Sequence, residues 1–239
     1  MPRIEARNLT VKYNEKYILR DINIVFDSGI HIVLGRNGAG KTTLLRAIAG
    51  LINFIGDIRV DGKDIKNLNR RELSRLIAYC WQNPFYGFIE ASVKDEVEAI
   101  LKIHKISGDS HILNTLVPRH LMDRDPTSLS GGEARRVSLA SILIADQPIW
   151  LLDEPFTNLD REGVEALIKI VEYGKEKGKT IVIALHEIFY AYLLKPNTYI
   201  VLNHGEVVKR GTWSDIDDET LLNSGLITMG DICAKLCNR

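Results

Sequence analysis

The run Gly35-Arg36-Asn37-Gly38-Ala39-Gly40-Lys41-Thr42-Thr43 follows directly on the apolar segment Ile30 to Leu34. An apolar strand, a glycine-rich turn and a helix opening on Lys-Thr form the arrangement in which a chain holds phosphates and a magnesium ion. Gly35, Gly38 and Gly40 let backbone amides turn toward an anion without steric cost. The helix starting near Lys41 adds free N–H groups and the positive end of its dipole. Lys41 is placed to reach the β and γ phosphates, and the Thr42 hydroxyl to ligate magnesium. The chain is expected to be an ATPase or GTPase, and what hydrolysis drives has to come from the rest of it.

At 239 residues the sequence suffices for one well-buried α/β domain with a small satellite. Lys plus Arg and Asp plus Glu both number 31, so net charge offers nothing to draw the chain to nucleic acid, and no such partner is expected. No uninterrupted apolar run approaches the ~20 residues of a membrane span. The start, Met1-Pro2-Arg3-Ile4-Glu5, lacks a secretory core, so a cytosolic chain able to dock on a membrane protein is expected. Three cysteines make no disulfide scaffold. Cys80 lies in an apolar run and reads as core, while Cys233 and Cys237 would share one face of a terminal helix.

Strand candidates fall at residues 4–11, 21–26, 30–34, 58–60, 76–81, 149–152, 180–185, 199–202 and 206–209. Helical patterns cover 42–49, 72–75, 92–117, 131–145, 161–176, 187–194 and short pieces of 212–237. Strands alternating with helices point to a doubly wound sheet, interrupted by a helix-rich lobe at about 84–145.

Ile149-Trp150-Leu151-Leu152 is wholly apolar, as a central parallel strand would be, and Asp153 and Glu154 emerge at its C-terminal end. Ligands of open α/β sheets bind at that edge. Asp153 would hold magnesium, and Glu154 would accept a proton from the attacking water or orient it. In Leu129-Ser130-Gly131-Gly132-Glu133, Ser130 and Glu133 fit a capping box. The two glycines cost helix stability but bare amides that suit phosphate.

With these pieces in order, the chain resembles the nucleotide-binding subunits of ABC transporters over nearly its whole length. Gly35 to Thr42 resembles Walker A and Ile149 to Glu154 Walker B. Gln82, in Trp81-Gln82-Asn83-Pro84, resembles the Q-loop glutamine, and Leu129 to Glu133 the signature motif. Asn158-Leu159-Asp160 resembles the D-loop and His186 the switch histidine. The resemblance implies an α/β P-loop fold with a RecA-like parallel sheet core, an N-terminal antiparallel β subdomain and an inserted α-helical subdomain. One domain spans 1–239: a core at 1–83 and 146–211, the helical lobe at 84–145 and a short helical segment at 212–239. It implies ATP and Mg2+ as ligands. Gly35, Asn37, Gly38, Ala39, Gly40, Lys41, Thr42 and Thr43 would surround the phosphates, and Thr42, Gln82 and Asp153 the metal. Tyr13 would stack on adenine, with Tyr17 the second candidate. Glu154 would be the general base, and His186 would hold the γ-phosphate. Ser130, Gly131 and Gly132 would cap the nucleotide of an opposite subunit and Asp160 would act across that interface, in a head-to-tail dimer.

Gln82 to Phe88 with Ala91 to Val97, and Gly225 to Met229 followed by Ile232 to Leu236, resemble the energy-coupling factor and cobalt-type importers. That branch implies import of a vitamin or of cobalt or nickel. Its partners would be a transmembrane coupling protein and a substrate-binding membrane protein, met at the cytoplasmic face of the membrane. Trp81, Phe85, Tyr86 and Phe88 would form the docking surface or pack the base of the lobe. Alternatives are another ABC importer or exporter, and a soluble ABC ATPase of cofactor assembly.

Overall fold

The computed structural model describes residues 1–228 and 230. The chain opens with β1 (Ile4–Tyr13) and β2 (Lys16–Phe26), an antiparallel pair. It continues with β3 (Gly29–Leu34), α1 (Lys41–Ile48), β4 (Ile55–Val60) and β5 (Lys63–Asp64). Next come α2 (Arg70–Leu76), β6 (Ile77–Cys80), α3 (Val93–His104), α4 (Ser110–Leu116) and α5 (Gly131–Leu143). The last elements are β7 (Ile149–Asp153), α6 (Arg161–Glu176), β8 (Thr180–Leu185), α7 (Ile188–Leu194), β9 (Thr198–Asn203), β10 (Glu206–Thr212) and α8 (Asp218–Asn223).

Two sheets result, one four-stranded in the order β2-β1-β4-β5 and antiparallel, the other six-stranded in the order β10-β9-β3-β8-β7-β6. In the second, β9, β3, β8, β7 and β6 are mutually parallel and only the edge strand β10 is antiparallel. Period-two alternation divides the buried strands between two cores. Ile30, Ile32, Trp150, Leu152, Ile181 and Ile183 face the side covered by α5, α6 and α7. Val33, Ile149, Leu151, Val182 and Ala184 face the side where Leu44, Leu45 and Ile48 of α1 lie, backed by Ile4, Leu9, Ile22 and Ile58 of the antiparallel sheet. The parallel sheet, the antiparallel subdomain and the helical lobe all follow the expected fold, and the lobe's Val93, Ile112, Leu116 and Leu121 join the α6-side core continuously.

The expected helix over 92–117 is two helices. Lys105 closes α3 in the left-handed conformation, Gly108 also takes positive φ, and the Asp109 carboxylate accepts the His111 amide to cap α4. Ser107-Gly108-Asp109-Ser110 carries that break in the sequence, because Gly and Asp together end one helix and cap the next. Cys80 is core, and burial pushes its thiol up to about 12. Cys233, Cys237 and the Ile232 to Leu236 helix lie outside the described residues.

On α6 the positions Gly163, Ala166, Leu167, Ile170, Val171 and Gly174 form one buried stripe, and the Asp160 carboxylate accepts the Gly163 amide at 2.8 Å to start the helix. Gly174 lies against the Trp150 indole of β7, where an added Cβ would sit 2.5 Å from the ring and 2.9 Å from Ile181 Cδ1. Alanine there gains up to about 1 kcal/mol of helix propensity but overpacks a wall of ring and strand at about 1–3 kcal/mol. Gly174→Ala should therefore lower stability by about 1–2 kcal/mol, read as a lower urea midpoint at unchanged slope.

Candidate functional site

Parallel strands that are neighbours in space end together, and four of these ends make the site. β3 runs into the loop 35–40, β8 into His186, β7 into Asp153-Glu154 and β6 into Trp81-Gln82, and these four strands are adjacent in the sheet. Residues spread from 35 to 186 are thus gathered at one edge, the carboxyl edge where α/β sheets bind ligands.

Gly40 is the N-cap of α1 at φ 106 and supplies no side-chain cap, so the first amides of the helix face the loop without an internal acceptor. Gly38, at φ 81, has open space where a Cβ would stand. Gly35 serves for a different reason from the one expected: a Cβ there would lie 2.6 Å from the Leu202 carbonyl oxygen, so its role is room for the neighbouring strand rather than a left-handed turn. Uncapped amides in an open cradle fit a polyphosphate.

Beside the cradle stands a closed polar cluster. Lys41 is only 4% exposed, and its ammonium donates to the Gly35 carbonyl at 2.8 Å and the Arg36 carbonyl at 3.3 Å. It also pairs with Glu154 Oε1 at 3.2 Å. The other oxygen of Glu154 lies 3.1 Å from His186 Nδ1 and accepts from Gln82 Nε2 at 3.4 Å. Glu154 adopts φ 48, uncommon for a residue with a Cβ, while its amide continues the sheet by donating to the Ala184 carbonyl at 3.1 Å. That turn re-aims its carboxylate toward Lys41, His186 and Gln82 instead of along the strand.

Asp153 is fully buried, and each of its oxygens has one donor. Thr42 Oγ1 donates to Oδ1 at 3.1 Å and the Tyr79 hydroxyl to Oδ2 at 3.2 Å. Burial raises its pKa, while the bonds from Thr42 and Tyr79 hold it down. Among the described residues no three His, Cys, Asp or Glu side chains cluster tightly enough to hold a metal alone. A hydroxyl and a carboxylate joined at the cradle are the sparse oxygen set that suits Mg2+, which takes one or two protein ligands and fills the rest with phosphate and water.

The structure therefore brings together Lys41, Thr42, Gln82, Asp153, Glu154 and His186. It does not bring in five of the other expected residues. Among the described residues no hydrogen bond or ion pair joins Tyr13, Ser130, Gly131, Gly132 or Asp160 to this cluster. Tyr13 ends β1 at 49% exposure, and Tyr17 is exposed to 43% with the ammonium of Lys12 4.2 Å from its ring centre. Ser130 caps α5 by the expected capping box, its hydroxyl accepting the Glu133 amide at 3.3 Å and its own amide donating to Glu133 at 2.8 Å. A Cβ on Gly132 would lie 2.8 Å from the Asn158 carbonyl oxygen, so this glycine also lets α5 meet the 157–160 loop of its own chain.

The expected aromatic surface divides. Trp81 packs edge-on against Tyr79 under the Arg46 guanidinium, and Phe88 packs on the core. Phe85 and Tyr86 are exposed, the latter at 70%, together with Ile89, which sequence reasoning passed over.

Two further residues escaped it. Tyr79 has no motif to mark it. Arg135, one turn into α5, is buried and donates through Nη1 to the Trp81 carbonyl at 2.6 Å and through Nη2 to the Gln82 carbonyl. Burial pulls its pKa below the ordinary value, against the opposing effect of Cys80, Asp153 and Glu154. A charged residue following a helix start reads as solvated surface, and only the packing of α5 against the end of β6 turns it inward.

The family model described as "ABC transporter" matches residues 19–157. A putative ABC transporter ATP-binding protein of Pyrococcus furiosus is 37% identical over 212 residues, covering 85% of this chain and 81% of that protein. The energy-coupling factor transporter ATP-binding protein EcfA1 of Thermotoga maritima is 31% identical over 220 residues, covering 89% and 83%. Among solved structures, a dimeric ATP-binding cassette in a post-hydrolysis state with ADP and phosphate superposes with a TM-score of 0.72 at 25% identity, covering 87% and 98%.

Arg135→Met keeps side-chain bulk but removes the donors of two carbonyls, which should lower stability by about 2 kcal/mol. Amide hydrogen exchange should quicken at residues 81–88, and exchange unchanged there would place the anchoring of Gln82 elsewhere.

Proposed function

We propose, from the premise that this chain belongs to the ABC transporter ATP-binding family and is closely related to its energy-coupling factor type, a division of labour among the residues at the sheet edge. The enzyme is an ATPase that acts as a dimer. Beyond that, our reading is that ATP lies on the loop 35–43 with its phosphates on the amides of Gly38 to Thr43. Asn37 and Ala39 line the same loop, and Tyr13, exposed at the end of β1, stacks on the adenine. Thr42 and Asp153, with Gln82, would hold Mg2+, whose chemistry there would be to supply positive charge against the phosphates.

The observation that carries the reading is the surround of Glu154. A buried carboxylate at the cradle, with Lys41 on one oxygen and His186 and Gln82 on the other, supports the reading that Lys41 turns to the phosphates when ATP binds and that the oxygen it leaves takes a proton from the attacking water. Lys41 supplies positive charge to the phosphates, His186 holds the γ-phosphate, and Gln82 reports nucleotide state through the exposed Phe85 and Tyr86. Ser130, Gly131 and Gly132 take no part in their own chain's cluster, which supports their capping the nucleotide of the second subunit, with Asp160 at the same interface.

Closure of this head-to-tail dimer would drive import of a vitamin or of cobalt or nickel. The chain would work as a peripheral subunit at the cytoplasmic face, with a transmembrane coupling protein and a substrate-binding membrane protein. Among the described residues no helix is long and apolar enough to cross a membrane.

Glu154→Gln should slow hydrolysis by about 10²–10⁴-fold while leaving ATP binding intact and trapping an ATP-bound dimer, visible by size-exclusion chromatography. Unchanged turnover would remove Glu154 from this role. Phe85→Glu should leave ATP binding and folding intact and abolish transport in vesicles containing the membrane proteins that copurify with the chain. Copurification with soluble proteins alone would favour a cofactor-assembly ATPase.

A further inference from the structure

Tyr79 is buried in β6, one strand from β7, and has no place in the motifs that mark the site. Its hydroxyl lies between two partners. Arg46 Nε approaches at 3.3 Å, and Asp153 Oδ2 stands at 3.2 Å. A guanidinium nitrogen can only donate, so the phenolic oxygen must accept from Arg46. The single phenolic proton then has one destination, the carboxylate of Asp153. The direction of the relay is set by chemistry: Arg46 to Tyr79 to Asp153 Oδ2.

Arg46 and Thr42 are four residues apart on one side of α1, both half-buried, and both side chains reach the sheet, Thr42 to Asp153 and Arg46 to Tyr79. One helix therefore grips both oxygens of Asp153, Oδ1 directly through Thr42 and Oδ2 through Arg46 and Tyr79. A carboxylate with one oxygen free could rotate about its terminal torsion, which is broad and roughly two-fold. With Oδ2 held on the Tyr79 side, Oδ1 is the oxygen presented to Thr42 and the cradle. The ring is itself fixed, edge-on to Trp81 with centroids 4.8 Å apart at 88°, and Arg46 is held over the same indole at 5.6 Å.

We infer that Tyr79, oriented by Arg46, is a positioning residue for the magnesium site, fixing which oxygen of Asp153 faces the ion. This rests on the reading of Thr42 and Asp153 as the metal site. Groups that orient metal ligands through a hydrogen bond commonly change metal affinity by about 10–100-fold when removed. Tyr79→Phe deletes one oxygen and keeps the ring, so the fold has little reason to change.

The test is Mn2+ binding, followed by electron paramagnetic resonance with a non-hydrolysable ATP analogue present. Wild type is compared with Tyr79→Phe, Arg46→Met, the double variant and Thr42→Ala. Tyr79→Phe should weaken Mn2+ by about tenfold, and Arg46→Met by less, with the double variant no weaker than Tyr79→Phe alone. The Mg2+ concentration for half-maximal hydrolysis should rise in parallel, with kcat recovered at saturating Mg2+, a split that general loosening of the core would not produce. If Thr42→Ala weakens Mn2+ and Tyr79→Phe leaves it within twofold, the role of Tyr79 is overturned and the metal site stands. Thr42→Ala and Tyr79→Phe both binding Mn2+ like wild type would overturn the metal site itself. Should Tyr79→Phe not fold, Arg46→Met alone decides by the same criterion.

Discussion

The site exists because four neighbouring parallel strands end at one edge. β3, β8, β7 and β6 lie side by side although the order of their residues in the chain is β3, β6, β7, β8, so each must be reached by a crossover through a helix. Parallel pairing forces the phosphate loop, the Asp153-Glu154 pair, His186 and Gln82 to emerge on the same side. A slip of one position in β7 would turn Asp153 from the α1 face, where Thr42 and Tyr79 meet it, to the opposite core. The apolar alternation that fills two cores is thus also what aims the chemistry.

Concentrating charge at that edge is costly unless every charge is answered. Lys41, Glu154, Asp153 and Arg135 are all nearly withdrawn from solvent, and each is held by named protein partners. An unanswered buried charge would be strongly destabilising. Three groups converge on the carboxylate of Glu154 while its backbone sits in a left-handed turn. Strain of that kind persists where surrounding contacts over-determine the conformation. The first amides of α1 have no side-chain cap at Gly40, which suits them to an anion.

Much of this was legible beforehand, and the reasons differ by residue. Ile149 to Leu152 is a wholly apolar run and 161–176 carries a helical pattern, and strand and helix formed where these placed them. The Ser130–Glu133 capping box is local geometry with a fixed spacing, so it too could be read directly. The break at Ser107 to Ser110 was present in the residue types but hidden under a helical pattern on both sides. Arg135 and Tyr79 left no such trace. A lone arginine and a lone tyrosine acquire their partners only when α5 meets the end of β6 and when β6 pairs with β7. The aromatic stretch at 81–88 illustrates the same limit, since hydrophobicity alone does not say which ring turns inward.

By itself the sequence determined most of the elements, the glycine-rich loop after β3 and the residue types gathered at the sheet edge, because these depend on residue type and on spacings of a few positions. Tertiary structure decided which groups touch. It set Lys41 and His186 on opposite oxygens of Glu154, gave Gly35 and Gly132 their steric reasons, and left Ser130 outside its own chain's cluster. Those outcomes follow from strand order and from helices packing across long separations in the chain. They are properties of the folded sheet edge, to which local periodicity carries no reference.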